Sequence, residues 1–176
     1  MDVNRSPAAS CRCGAVVLQV TGAPILHAAC YCASCQEAGR QIELLPDAPR
    51  VLDADGGTDF VLYRKDRVRC VQGGDLMQAR RLKPESPTRR MVATCCNSAM
   101  ALDFTKGHWL TLYRARLAGP VPPLEMRIMI AEKREGVVLP QDAPNYAAFS
   151  GRFMWKLLAA WVSMGFRTPK VEGVPN

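Results

Sequence analysis

The stretch Ser10–Gly22, SCRCGAVVLQVTG, decides the reading of the fold. Two cysteines and a glycine make a tight turn, and the β-branched run Ala15–Val20, closed by Thr21 and Gly22, predicts a strand directly after it. Working outward, short apolar or alternating segments recur at Ile25–Cys30, Gln41–Leu45, Asp59–Tyr63, Arg67–Val71, Met77–Leu82, Met91–Thr94, Ala99–Phe104 and Trp109–Tyr113. Turn-forming clusters such as Asp55-Gly56-Gly57-Thr58 and Gly73-Gly74-Asp75 separate them, which predicts antiparallel hairpins. The expected fold class is mainly β, with several coiled antiparallel sheets around the cysteines and one C-terminal amphipathic helix.

Five of the eight cysteines fall between positions 11 and 35, as Cys11-Arg12-Cys13-Gly14 and Cys30-Tyr31-Cys32-Ala33-Ser34-Cys35. Zinc takes tetrahedral sulfur and nitrogen ligands at about 2.0–2.3 Å, so its ligands come in close pairs on turns that aim two side chains at one point. Cys-x-Cys and Cys-x-x-Cys turns do this, and the small Gly14 lets the backbone fold close to a metal. A third group, Cys95-Cys96, precedes Asn97. Adjacent cysteines point apart in a regular strand, so both face one ion only if the chain turns there, and Asn97 suits a turn. Cys70, with no cysteine neighbour, is expected to be a small buried apolar residue.

Counting ligands divides the cysteines. Cys11 and Cys13 with Cys95 and Cys96 would make a closed four-thiolate site of the structural kind, whereas Cys30, Cys32 and Cys35 supply three ligands and an open position, as catalytic sites do. His27 either closes that fourth position or sits at a strand edge.

The chain has 176 residues, a length that suits one domain with a terminal extension. Nearly half the residues are apolar (48%) and 22% are charged, which excludes wholesale disorder. The N-terminus has no secretory pattern, and no segment reaches the roughly 18 uninterrupted apolar residues of a membrane span. A cytoplasmic location is expected, where cysteines serve metal or thiol chemistry more than disulfides. The net charge of +7 attracts nucleic acid, anionic lipid or an anionic small molecule, yet the scattered Arg and Lys residues, including Arg64, Lys65, Arg89 and Arg90, read as solvated strand faces. Nucleic acid is therefore an unfavoured partner. Two histidines, His27 and His108, do not support Ser-His-Asp catalysis, and neither glycine pair belongs to a phosphate loop.

Gly119-Pro120-Val121-Pro122-Pro123 ends the cysteine-bearing core, after which Leu124–Ala131 is a further candidate strand and Leu139–Asn145 a loop. Beyond it the period changes. Phe149, Phe153, Leu157 and Trp161 are four apart, flanked by Met154, Leu158 and Val162, which predicts a helix over about 149–164 that Gly165 ends. Its stripe is expected to pack on the sheet; a homodimer contact or a membrane-surface position are the alternatives. The expected division is 1–9 as a flexible N-terminus, 10–118 as the zinc-binding β domain, and 119–176 as an extension whose helix packs on the core.

The segments SCRCGAVVLQVTGAP, CYCASCQEAGR and TCCNSAMALDF together resemble the glutathione-dependent formaldehyde-activating enzyme family, which includes the related domain of centromere protein V. The resemblance covers about residues 10–113. It implies coiled antiparallel sheets, a structural four-cysteine zinc site that begins at Cys11 and Cys13, and a three-cysteine site at Cys30, Cys32 and Cys35 where a thiol binds. The late motif departs from the family's Cys-x-x-Cys-Gly: Cys96 fits the second cysteine, the first falls on Ala93, and Cys95 is the candidate substitute. The chain thus looks like a divergent branch.

A metal held by three thiolates keeps net negative charge, which suits it less to activating water than to holding a substrate sulfur as thiolate. The expected activity is a carbon–sulfur lyase acting on adducts of glutathione, or another small thiol, with an aldehyde. Cys30, Cys32 and Cys35 form its catalytic centre, and Arg40, just after the motif, is the candidate contact for glutathione carboxylates. The rivals are a non-catalytic zinc module for a protein or nucleic-acid partner and a redox sensor built on the clustered thiols.

Overall fold

The computed structural model describes residues 7–174. Its strands are β1 Ala8–Ser10, β2 Val17–Val20, β3 Leu26–Cys30, β4 Thr58–Arg64, β5 Val68–Gln72, β6 Met77–Arg80, β7 Thr88–Ala93, β8 Ser98–Phe104, β9 Trp109–Tyr113, β10 Leu117–Ala118 and β11 Met126–Ile128. Two helices are described, α1 Ala33–Glu43 and α2 Gly151–Ser163. The strands form a four-stranded sheet in the order β10-β1-β2-β5 and a seven-stranded sheet in the order β11-β3-β4-β9-β8-β7-β6. The mainly β architecture follows, with one parallel pair, β3 beside β11, among the antiparallel ones.

Side chains alternate across a strand, and both faces of the large sheet are covered. From β4, Val61 and Tyr63 join Leu18, Val20 and Leu112 in a core between the sheets. Phe60 and Leu62 point the other way, into a second core with Leu26, Ile42 of α1, and Phe153 and Leu157 of α2. This double cover accounts for the nearly continuous burial of β4.

Helix α1 corrects the strand expected at Gln41–Leu45. Its inward residues Cys35, Ala38, Gly39 and Ile42 follow i, i+3, i+4, i+7 helical spacing. Three of them are small, so the apolar signal is weak. A Cβ on Gly39 would lie 2.4 Å from Leu52 Cδ2, so only glycine lets this helix approach so closely.

Ala8 and Ala9, expected in a flexible N-terminus, pair with β2 and β10, and Ala9 is fully buried; residues 1–6 of that segment lie outside the described residues. The 119–176 extension is also woven into the core. Its β11 extends the large sheet beside β3, and α2 covers the same face as α1. Ser150 caps α2 by accepting a hydrogen bond from the Phe153 N–H at 3.1 Å, and the left-handed Gly165 (φ +61°) ends it.

The expectation of solvated basic strand faces fails at particular residues. Lys65 and Arg90 are buried. Lys65 Nζ and Arg89 Nη2 each lie 2.8 Å from the buried Asp103 carboxylate. No described helix is long and apolar enough to cross a membrane.

Candidate metal centres

The first centre forms where two turns meet. The Gly14 N–H donates to Cys11 O at 3.0 Å, and Gly14 sits at φ +80° with no atom within 4 Å of where a Cβ would be. The left-handed turn is a conformation that glycine adopts at no steric cost. The Val16 N–H donates to Cys11 Sγ at 3.2 Å, and the Arg12 N–H to Ser98 Oγ at 3.0 Å, which ties the first turn to the β7–β8 turn. There the left-handed Asn97 (φ +50°) reverses the chain, so Cys95 and Cys96 both turn toward the first pair.

The sulfurs of Cys11, Cys13, Cys95 and Cys96 all lie within 4.8 Å of one another. Individual separations are 3.5 Å for Cys11–Cys13, 3.3 Å for Cys13–Cys95, 3.8 Å for Cys11–Cys95 and 3.9 Å for Cys95–Cys96. A tetrahedron with metal–sulfur bonds of about 2.3 Å has edges of about 3.8 Å, so this set fits such an ion. Cys95 therefore stands in the cluster, and Ala93 is a fully buried strand residue. The first centre is open to solvent on one side: Cys13 and Cys95 are exposed, Cys11 and Cys96 buried.

The second centre lies at the junction of β3 and α1. Cys30 ends β3, Cys32 is the N-cap of α1, and Cys35 lies within its first turn. Their sulfurs also lie within 4.8 Å of one another. Cys32 Sγ accepts from the Cys35 N–H at 3.4 Å and lies 3.2 Å from Ser34 Oγ. The Gln36 amide donates to Tyr31 O at 2.6 Å and to Glu132 O at 2.8 Å, while the Ala33 N–H donates to Glu132 Oε2 at 2.7 Å. These bonds clamp the loop to the extension, and sequence spacing alone gave no hint of Gln36 or Glu132.

The sulfurs within each cluster share their protons unequally. Cys32 is drawn well below the usual thiol range, first by its hydrogen bond with Cys30 and then by that with Cys35. The same contacts push Cys30 up to about 12 and Cys35 well above its usual value. In the other cluster, burial and the neighbouring sulfurs push Cys95 up to about 12. Cys96 falls to about 6, because bonds from the Ser98 hydroxyl and the Cys13 backbone outweigh its burial. Each set can therefore hold some negative charge by sharing protons, whereas full ionisation calls for a cation among the sulfurs.

Two sequence candidates lie away from the second centre. His27 faces the opposite side of β3 from Cys30; its Nε2 donates to Asp59 Oδ1 at 2.5 Å and its Nδ1 to Pro122 O at 2.7 Å. Burial disfavours its charge, but the Asp59 and Pro122 bonds prevail and raise its pKa. It secures the proline-rich segment and supplies no fourth ligand. Arg40 lies on the outer face of α1, half exposed and paired with Glu37 at 2.7 Å. Cys70 belongs to neither cluster; it is half-buried, and its thiol donates to Gln72 O at 3.2 Å.

A cavity of about 430 Å3 adjoins the three cysteines. Phe60, Leu62 and Trp109 line it from the sheet, and Phe153, Met154 and Leu157 from α2. Arg90 also faces it, buried at 3% exposure, with Nη2 donating to Ser34 O at 3.1 Å. Its position beside Arg89 on β7 concealed it in the sequence.

Residues 4–113 match the family described as "Family of unknown function (DUF6151)". The chain belongs to that family. The matched region of this DUF6151 protein holds both cysteine clusters and ends with β9, so α2 and its part of the cavity wall lie beyond it. A crystal structure of a Rhodobacter sphaeroides protein, a structural-genomics target, is similar at a TM-score of 0.46 and 14% identity, over 78% of this chain and 98% of that one. No curated protein matches the sequence.

Proposed function

We propose that the protein is a zinc-dependent carbon–sulfur lyase of the type found in glutathione-dependent formaldehyde-activating enzymes. The observation that supports it is the convergence of Cys30, Cys32 and Cys35 on one point at the wall of a 430 Å3 cavity. Zinc at Cys11, Cys13, Cys95 and Cys96 would be structural, closing a loop of over eighty residues between the two turns. A cytoplasmic setting suits the proposal, because free thiolates persist in reducing surroundings.

Zinc bound at the second centre would supply the positive charge that keeps three cysteines ionised and leaves room for a substrate sulfur as thiolate. The protein does the rest. The Cys35 N–H and Ser34 hydroxyl steady Cys32 Sγ, Glu132 and Gln36 hold the loop, and the apolar walls keep water from the reacting carbon. Zinc content and turnover of thiol–aldehyde adducts in the wild type and Cys32→Ser test this. The expected result is loss of one zinc and of turnover in the variant; equal turnover would rule the assignment out.

A second reading is a non-catalytic zinc module with a protein partner. Its support is the outer face of α2, where Trp155, Leu158 and Val162 are exposed. Turnover that vanishes in Cys32→Ser but persists in Trp155→Ser would favour the lyase.

A further inference from the structure

The cavity walls are a poor match for a peptide thiol. Glutathione brings two carboxylates and an ammonium, and charges taken from water without partners are strongly disfavoured. Apart from the three cysteines, Arg90 is the one ionisable residue among the described residues that line the cavity. Phe60, Leu62, Ile128, Trp109, Phe153 and Leu157 present carbon to whatever enters. Such a wall rewards an apolar chain, by about fourfold in affinity for each methylene buried.

Arg90 supplies the second observation. It is buried at 3% exposure, and one of its N–H groups holds the Ser34 carbonyl, which fixes the guanidinium beside the Cys32–Cys35 loop. Its Nε finds no acceptor among the described residues. A buried donor without an acceptor bears the full desolvation penalty, and an oxygen on a ligand would relieve it.

We infer that the cavity takes the adduct of a thiol with an apolar aldehyde, the carbon chain lying against α2 and the adduct's hydroxyl oxygen accepting from Arg90 Nε. This rests on the proposed role of the three cysteines as the place where sulfur is held. In the cleaving direction the C–S bond breaks and its electron pair leaves on sulfur. The oxygen's O–H pair becomes the second C–O bond, and the released proton passes through water to the departing thiolate. RCH(OH)SR′ thus gives RCHO and R′SH, with nothing oxidised or reduced. Arg90 Nε–H stabilises the negative charge that builds on oxygen.

Binding of two straight-chain series, alkanols and alkanethiols of two to eight carbons, to the reduced, zinc-replete protein tests the inference by calorimetry, with glutathione alongside. Both series are expected to tighten about fourfold per methylene until the cavity is full, with glutathione weaker than hexanethiol. No dependence on length in either series, or glutathione as the tightest ligand, would overturn it. Alkanols that tighten with length while thiols gain nothing over them would instead overturn the thiol-binding role and leave the apolar occupant standing. Arg90→Lys, which keeps the charge and loses the Nε donor, is expected to weaken alkanols about fivefold and leave thiols unchanged. Equal weakening of both, or of neither, would remove Arg90 from the assignment. Met154→Glu, at the half-exposed rim of the cavity, is expected to flatten the length dependence with the fold intact; an unchanged slope would place the chain elsewhere.

Discussion

The two cysteine clusters are built from the same atoms and differ in what surrounds them. The four-cysteine cluster joins two turns over eighty residues apart, with two sulfurs exposed. The three-cysteine cluster is local in sequence, with Cys30 and Cys35 buried, and opens onto an apolar cavity under α2. A cross-link between distant segments stabilises a fold, whereas a local cluster with space next to it has little to hold together and room to react. Ligand count and surroundings therefore point the same way.

The sharpest attempt to break this contrast is Cys96→Ser against Cys32→Ser. Loss of Cys96 is expected to cost several kcal/mol, part of the about 10–16 kcal/mol by which structural zinc drives folding in small zinc domains. Cys32→Ser is expected to change the melting temperature much less while abolishing turnover. Comparable destabilisation by both, measured by thermal unfolding with metal analysis, would erase the distinction.

Next in size is Asp103→Ala, on the strand face opposite the cavity residues Leu102 and Phe104, which strands the buried Lys65 and the mostly buried Arg89. A loss of about 3–5 kcal/mol is expected in urea unfolding. Zinc at the four-cysteine cluster should remain, which separates damage to a buried ion pair from damage at the cross-link.

Smaller still is Ser150→Ala, which removes the cap of α2 at a cost of about 1 kcal/mol. Faster alkylation of Cys32, with no change at Cys13, is expected in the folded variant by mass spectrometry. Equal acceleration at both would mean that α2 does not cover the second centre selectively.

The least effect concerns His27, remote from both clusters in function. Its folded pKa is raised, so its bond to Asp59 contributes stability that is fully present below the unfolded value and is lost as pH rises through the folded one. The stability gap between wild type and His27→Gln is accordingly expected to narrow from pH 5.5 to pH 8.5. A gap that widens would reverse the sign.

Much of the β architecture is legible in the chain, because β-branched runs such as Val17–Val20 are bounded by unmistakable turn residues. The pairing of Cys11 and Cys13 with Cys95 and Cys96 is legible too, since adjacent cysteines before Asn97 make sense only at a turn. Helix α1 is not: Ala38 and Gly39 carry the inward stripe with almost no side chain, and tertiary contact with Leu52 selects the helix. Arg90 and Lys65 are equally opaque. Nothing local distinguishes a buried strand arginine from a solvated one when its partners, Ser34 for Arg90 and Asp103 for Lys65, lie about forty to sixty positions away. The cavity depends on α2 returning to the large sheet after the proline-rich segment, a long-range packing event without a local signature.

Native mass spectrometry of the reduced protein, wild type and Cys32→Ser, tests the central claim most directly. Two zinc ions per wild-type chain and one in the variant are expected, the survivor being lost only on unfolding. A wild-type chain that carries no zinc and unfolds at the same temperature with and without a chelator would contradict the account.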